Sequence, residues 1–210
     1  MRKPNYNETM IHTLEDFEGR PKIVLHVCCA PCSTASIERL LDYGDITCYF
    51  FNDNLDSERE FHTRYGELER LAATTGWPVT IEKQEYDHER FLNRVRGLEE
   101  EREGGKRCMR CYHDRLMETA IFAKAHGYDF FTTTLTISPH KDSAVLNRMG
   151  EAIGNKVGVP FLHADFKKQG GFKRSTELSK AYALYRQDYC GCEFSKEEAR
   201  KRAESLDKQR

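Results

Sequence analysis

The chain has 210 residues and a formal net charge of -1, from 33 Lys plus Arg against 34 Asp plus Glu; 39% of residues are hydrophobic, 32% are charged and six are proline. That length suits one domain with a real core, and the composition excludes a disordered or collagen-like chain and the basic bulk of a protein that coats nucleic acid, while leaving room for a local basic patch. No segment approaches the ~18 apolar residues of a membrane span and the N-terminus lacks a secretory apolar stretch, so a soluble cytoplasmic protein is expected.

Residues 1–21 are polar and read as a loosely attached arm, with one helical turn at Thr13 to Phe17. Lys22 to Val27 is a buried strand, rich in β-branched residues. It runs directly into Cys28-Cys29-Ala30-Pro31-Cys32-Ser33, after which Ile37, Leu40 and Leu41 mark a helix. Pro31 suits the first turn of that helix, where a missing N–H costs little. Ile46 to Phe51 is a second buried strand, closed by Asn52-Asp53-Asn54. Ser57 and Glu60 form a capping box for an amphipathic helix carrying Phe61, Tyr65, Leu68, Leu71 and Ala72 and ending at Gly76. Val79 to Glu82 is a third strand, followed by a weaker helix over His88 to Val95. The polar, glycine-interrupted stretch from Glu99 to Arg107 predicts a mobile loop.

A helix then starts near Cys108 and ends at Gly127. Asp129 to Leu135 is a fourth strand, Ser138-Pro139-His140-Lys141 a loop, and Val145, Leu146, Met149, Ile153 and Val157 mark another helix. Pro160 to Leu162 begins a fifth strand. Ser175 to Tyr185 is helical, Cys190-Gly191-Cys192 follows, and Ser195 and Glu198 cap a charged terminal helix. The division expected is an arm over 1–21, an α/β catalytic domain over 22–195 and a charged helix or tail over 196–210. Alternating strands and helices predict a three-layer, Rossmann-like parallel sheet with helices on both faces. Its ligand site belongs at the carboxyl edge of the strands. There the Cys28–Cys32 turn, Asn52 to Asn54 and Ser138 to Lys141 all gather.

Seven of the eight cysteines fall into three groups: Cys28, Cys29 and Cys32; Cys108 and Cys111; Cys190 and Cys192. Without an export signal, grouped thiols point to metal or redox chemistry rather than to a disulfide scaffold. Helix starts stabilise thiolates, and thiolates are what bind metal. Three readings compete. Structural zinc needs only four cysteines, and a metal-free dithiol oxidoreductase needs one CxxC. An iron–sulfur cluster with a second metal uses most of the seven, approaching two sites that each keep a non-cysteine position. Cys48, alone in its strand, is a buried small hydrophobe.

Other candidates are open at this level. The glycine-rich nucleotide loops are absent. Gly170-Gly171, with Lys167, Lys168, Lys173 and Arg174 around it, is either a phosphate cradle or a solvated loop. His26 is a core residue or a neighbour of the site, and His113 and His140 stay unassigned. Asp53 and Asp142 are each a metal ligand or acid, or an ordinary loop or capping residue. Tyr112, Tyr185, Arg186 and Tyr189 adjoin the cysteines and serve either base stacking or packing.

HVCCAPC (26–32), FFNDNLDSEREFHTR (50–64), RCMRCYHDRL (107–116), FTTTLTISPHK (131–141) and YRQDYCGC (185–192) together resemble the QueH-type epoxyqueuosine reductases, over about residues 22 to 195. That resemblance implies cobalamin-independent reduction of the epoxide of epoxyqueuosine to queuosine at the wobble position of certain tRNAs. It implies a fold similar to the HUP or PP-loop-like α/β domains of tRNA thiolation enzymes, with the ATP loop replaced by cysteines. It further implies a [4Fe-4S] cluster on three cysteines beside a second metal ion, expected to be iron, with cysteine and aspartate ligands. Cys28 and Cys29 match the family's paired cysteines, Cys108 and Cys111 its CxxC, and Cys190 and Cys192 its CxC. Two departures stand out: Cys32 where some relatives carry aspartate, so that a thiolate softens the second-metal site or Asp53 is left to supply the oxygen ligand, and Phe51-Asn52-Asp53-Asn54 where the family commonly has Tyr-Asn-Pro-Asn.

Opening an epoxide takes two electrons, a proton donor and a partner for the developing alkoxide. Asp53, His140 and Lys141 are the expected proton-delivery residues, and a ferredoxin or flavodoxin the expected class of electron donor. Arg107, Arg110, Lys141, Lys167, Lys168, Lys173 and Arg174 are expected to contact the tRNA backbone. The rivals are an iron–sulfur PP-loop-like thiolation enzyme, which would need ATP, and a zinc-stabilised RNA-binding module.

Overall fold

The structure, a computed structural model, describes residues 4–207. The first three residues of the expected arm and the last three of the expected tail lie outside them. Among the described residues β1 (Lys22–His26), β2 (Asp45–Phe50), β3 (Val79–Lys83) and β4 (Phe130–Thr133) form one parallel sheet in the order β3-β2-β1-β4. Side-chain alternation sends Ile23, Leu25 and Val27 to one face and Val24 to the other. On the first face lie α1 (Tyr6–Glu15), α2 (Ala30–Leu40) and α3 (Glu58–Thr75), through Met10, Leu14, Ile37, Leu40, Phe61 and Leu68. On the second lie α5 (Lys106–Ala125) and α6 (Ser143–Val157), through Leu116, Ala120, Leu146 and Ile153. The three-layer α/β architecture is therefore the expected one. A shorter α4 (His88–Val95) packs on α5, α7 (Gly171–Ala181) packs on α2, and α8 (Glu193–Asp207) follows the CxC. No helix of the described residues is long and apolar enough to cross a membrane.

Several expectations are corrected. The loosely attached arm is instead a helix over Tyr6–Glu15, with Met10 fully buried and Asn7 Oδ1 accepting from the Asp165 N–H at 3.1 Å. Apolar contact with the sheet repays its ordering. The fifth strand at Pro160 to Leu162 is only an isolated bridge, Phe131 to Phe161. Beyond it the Asn147 amide takes both the N–H and the carbonyl of Ala164, so a side chain stands where a strand partner would. The loop before α5 is tethered rather than mobile. Arg107, 2% exposed, donates to the Glu99 carbonyl at 2.7 Å and to that of Glu101. Helix α7 begins at Gly171 rather than Ser175, and α8 at Glu193, with Ser195 inside its first turn.

Candidate metal centre

The order of the strands reverses at β1: β2 and β3 lie on one side of it and β4 on the other. A ligand of such a sheet binds in the crevice beyond the carboxyl ends of the strands at that reversal. β1 delivers Cys28 there and β4 delivers Thr134. The Cys28 N–H donates to Thr134 Oγ1 at 3.4 Å, and its sulfur lies 3.5 Å from the same oxygen. Cys29, extended at φ -169°, is the N-cap of α2, and Cys32 sits in its first turn behind Pro31. This sharp strand-to-helix turn brings the Cys28, Cys29 and Cys32 sulfurs within 4.8 Å of one another, with Cys28 and Cys29 3.9 Å apart.

Hydrogen bonds from Cys29 and Cys32 hold the Cys28 thiol well below its ordinary value. Burial pushes Cys29 up to about 12, and the hydrogen bonds to Cys28 and Cys29 raise Cys32 well above the usual thiol range.

A second group lies alongside. Cys108 and Cys111 occupy the first two turns of α5, and the Gly104 N–H donates to the Cys108 sulfur at 3.2 Å. Cys190 and Cys192 flank Gly191. Ser195 Oγ accepts from the Gly191 N–H at 3.2 Å and donates to the Cys192 carbonyl at 2.9 Å, folding this CxC into a tight turn. Burial raises Cys108, Cys111 and Cys192, Cys111 to about 12. Unlike the first group, no three of these four sulfurs come within 4.8 Å of one another. All eight cysteines are free thiols, and Cys48 is fully buried in the core as expected.

Two buried arginines, neither anticipated from the sequence, organise the thiols. Arg64 on α3 pairs with Glu60 at 2.7 Å and donates to the Cys190 carbonyl at 3.2 Å. Arg115 on α5 donates to His26 Nε2 at 3.2 Å and to Asn52 Oδ1 at 2.6 Å. A local signal for Arg115 existed, since it stands one helical turn beyond Cys111 and so shares its face. For Arg64, 126 residues from Cys190, there was none.

The remaining expected residues divide. Lys141 stands half-buried near Cys190, Tyr112, Cys28 and Cys32; burial lowers it, but these groups outweigh that and raise it. Asp53 is buried yet engaged by Arg90 at 2.5 Å and by the Asp87 N–H at 3.3 Å, and it does not join the sulfur cluster. His140 is exposed. Asp142 caps α6, accepting from the Ala144 N–H at 2.8 Å. His26 is fully buried; desolvation and the charge of Arg115 push it down to about 3, so it is neutral.

Of the expected RNA contacts, Arg110, Lys168 and Lys173 are exposed. Arg107 is corrected to a buried loop anchor. Lys167 is paired with Asp165 at 2.9 Å and Arg174 with Glu38 at 2.6 Å, so neither cation is free. Tyr112 is core; Tyr189 donates to Asp56 at 3.0 Å, and Tyr185 and Arg186 are exposed. Gly170 is the left-handed cap before α7 at φ 75°. A small cleft, open to solvent, reaches Cys111 and is lined by Phe51, Asp53, Asn54, Arg90 and Arg115 among others.

The family model described as epoxyqueuosine reductase QueH matches residues 23–198. Similar proteins carrying that same name include one from Streptococcus pyogenes serotype M1, 41% identical over 92% of this chain and 79% of its own length. Another, from Staphylococcus epidermidis, is 39% identical over 92% of this chain and 85% of its own. A third, from Thermotoga maritima, is 32% identical over 90% of this chain and 97% of its own.

Proposed function

Since the chain belongs to the epoxyqueuosine reductase QueH family, a family of oxidoreductases, we propose that it removes the epoxide oxygen of epoxyqueuosine in tRNA to give queuosine, without cobalamin. The observation that carries this is the meeting of two thiol groups of different spacing at one sheet edge. A tetrahedral ion with thiolates at ~2.3 Å places its sulfurs ~3.8 Å apart, and Cys28 and Cys29 are 3.9 Å apart. Cys28, Cys29 and Cys32 therefore suit a single ion, with iron the choice for redox work. Cys108, Cys111, Cys190 and Cys192 are spaced more widely, as the corner ligands of a [4Fe-4S] cluster are. Cys32 completes the triad by itself, so Asp53, held by Arg90, is not needed as an oxygen ligand.

When bound, such groups supply electrons singly and a Lewis acid for the departing oxygen. Conversion of the epoxide to the alkene consumes two electrons and two protons and releases water. Lys141 holds an ammonium between the two thiol groups, where it can hydrogen-bond to the developing alkoxide and give it a proton. Asp53 lines the adjoining cleft and His140 is exposed beside Lys141 in the chain; both follow Lys141 in the order of expected importance. Arg110, Lys168 and Lys173 supply sequence-independent contacts to the tRNA backbone. A one-electron donor of the ferredoxin or flavodoxin class completes the cycle.

The test is anaerobic incubation of metal-loaded protein with epoxyqueuosine-containing tRNA and dithionite, followed by mass analysis of the nucleosides. Loss of one oxygen atom from the modified base is expected, and K141M should slow it without loss of iron. Fully loaded protein that leaves the base unchanged would contradict the proposal.

A further inference from the structure

Arg115 is 3% exposed, and no carboxylate is among the partners it bonds. A guanidinium only donates, so the Arg115 Nε contact at 3.2 Å takes His26 Nε2 as its acceptor, with the Phe51 carbonyl oxygen at the same distance from that nitrogen. The proton of neutral His26 is then on Nδ1, donated to Thr133 Oγ1 at 2.9 Å. Asn52 is fixed as firmly. Its Nδ2 donates to the Val27 carbonyl at 2.9 Å, which leaves Oδ1 to face the guanidinium at 2.6 Å. These two acceptors aim Arg115 and cannot discharge it.

The other buried or half-buried arginines around the site differ in this respect. Arg64 has Glu60, Arg90 has Asp53 and Arg107 has Glu198. Among the described residues Arg115 forms no ion pair with a carboxylate, and the groups whose ionised or metal-bound form acts on it are the sulfurs of Cys111, Cys28 and Cys190. An isolated buried cation is costly, and arginine cannot shed its proton to escape that cost. The two thiol groups therefore complete the arginine electrostatically as much as it completes them, Cys28 from one group and Cys111 and Cys190 from the other.

We infer that Arg115 is the fixed counter-charge of the thiol centre, a positioning residue through which the protein raises the centre's reduction potential. The inference rests on the proposal that these thiols hold a redox metal. Each electron that enters makes the site more negative, and a buried, permanent cation favours the reduced state more strongly than an exposed one. Lys141, the other cation near both groups, is partly buried, and unlike Arg115 it can give up its proton.

The experiment is a reductive titration, followed by absorbance and electron paramagnetic resonance, of reconstituted wild-type protein and of R115M, R115K and N52D, with iron and sulfide counted in each. At the solution potential that half-reduces the wild type, R115M should show a reduced-to-oxidised ratio about tenfold lower, a shift of about 59 mV for one electron. N52D keeps the guanidinium but sets a carboxylate against it, and should shift the same way. R115K keeps the charge and should stay within about threefold of wild type. Wild-type titration of R115M or N52D at full iron content overturns the inference; if R115M does not fold, N52D decides. Absence of a redox-active metal from the wild type itself would overturn the underlying proposal, and it shows before any variant is compared.

Discussion

Arg64 donates from Nη1 to the carbonyl of Cys190 across 3.2 Å, tying α3 to the turn that carries two of the thiols. Gly191, next in the chain, lies against the same arginine. At φ +142° it occupies a conformation that side chains rarely adopt, and a Cβ there would stand 2.7 Å from Leu55 Cδ2 and 3.3 Å from Arg64 Nη1. G191A should therefore cost about 1–3 kcal/mol, lower the melting temperature by several degrees, and reduce iron content because the CxC turn is displaced. Thermal melts with metal analysis check this; unchanged values in both would show that the turn is not held as described.

The two thiol groups should be separable. C32S removes one sulfur from the set that lies within 4.8 Å, so it should lower affinity for a single ion while leaving acid-labile sulfide per chain intact. C111S, in the wider group, should instead lower the sulfide. Metal and sulfide analysis of both variants, reconstituted side by side, distinguishes them; sulfide loss in C32S alone would reverse the assignment.

Only the exposed cations without a close carboxylate partner should carry RNA binding; Lys173 meets Glu177 only at 3.9 Å. The triple variant R110E/K168E/K173E should weaken tRNA binding and flatten the plot of log affinity against log salt by about 0.7 for each single-stranded phosphate that is no longer neutralised. R107E should leave that slope intact and destabilise the 98–101 loop, whose carbonyls Arg107 holds. Filter binding across a salt series, with melts as the companion measurement, tells the two behaviours apart.

Cys48 supplies a control within the thiols. It is fully buried, and desolvation pushes its thiol up from 9.0 to about 12. Its folded pKa is the raised one, so its contribution to stability is complete below about 9 and is lost as pH rises from about 9 to about 12. C48A should flatten that alkaline decline in denaturant titrations and leave iron content unchanged. Loss of iron in C48A would make Cys48 part of the centre.

The thiols were legible in the sequence because their spacing is local: a strand-to-helix turn, the start of a helix and a glycine between two cysteines each declare themselves within a few residues. The parallel sheet was legible for a similar reason, through KIVLH and ITCYF. Contacts made across the chain were not. Arg107 and Arg174 read as free charge, since nothing nearby shows that one faces loop carbonyls and the other Glu38. Helix α1 did carry its signal, in the helical spacing of Asn7, Met10 and Leu14, but the polar residues between them obscured it. At Pro160 to Leu162 the apolar run was real, and the Asn147 side chain ended the pairing.

The most direct measurement is the count of iron and acid-labile sulfide per chain in anaerobically purified protein, with spectra before and after reduction. A cluster on one thiol group and an ion on the other predict about five irons and about four sulfides, with a reducible visible absorption. Zinc without sulfide, persisting after anaerobic reconstitution, would contradict the account and leave the seven grouped thiols as a structural scaffold.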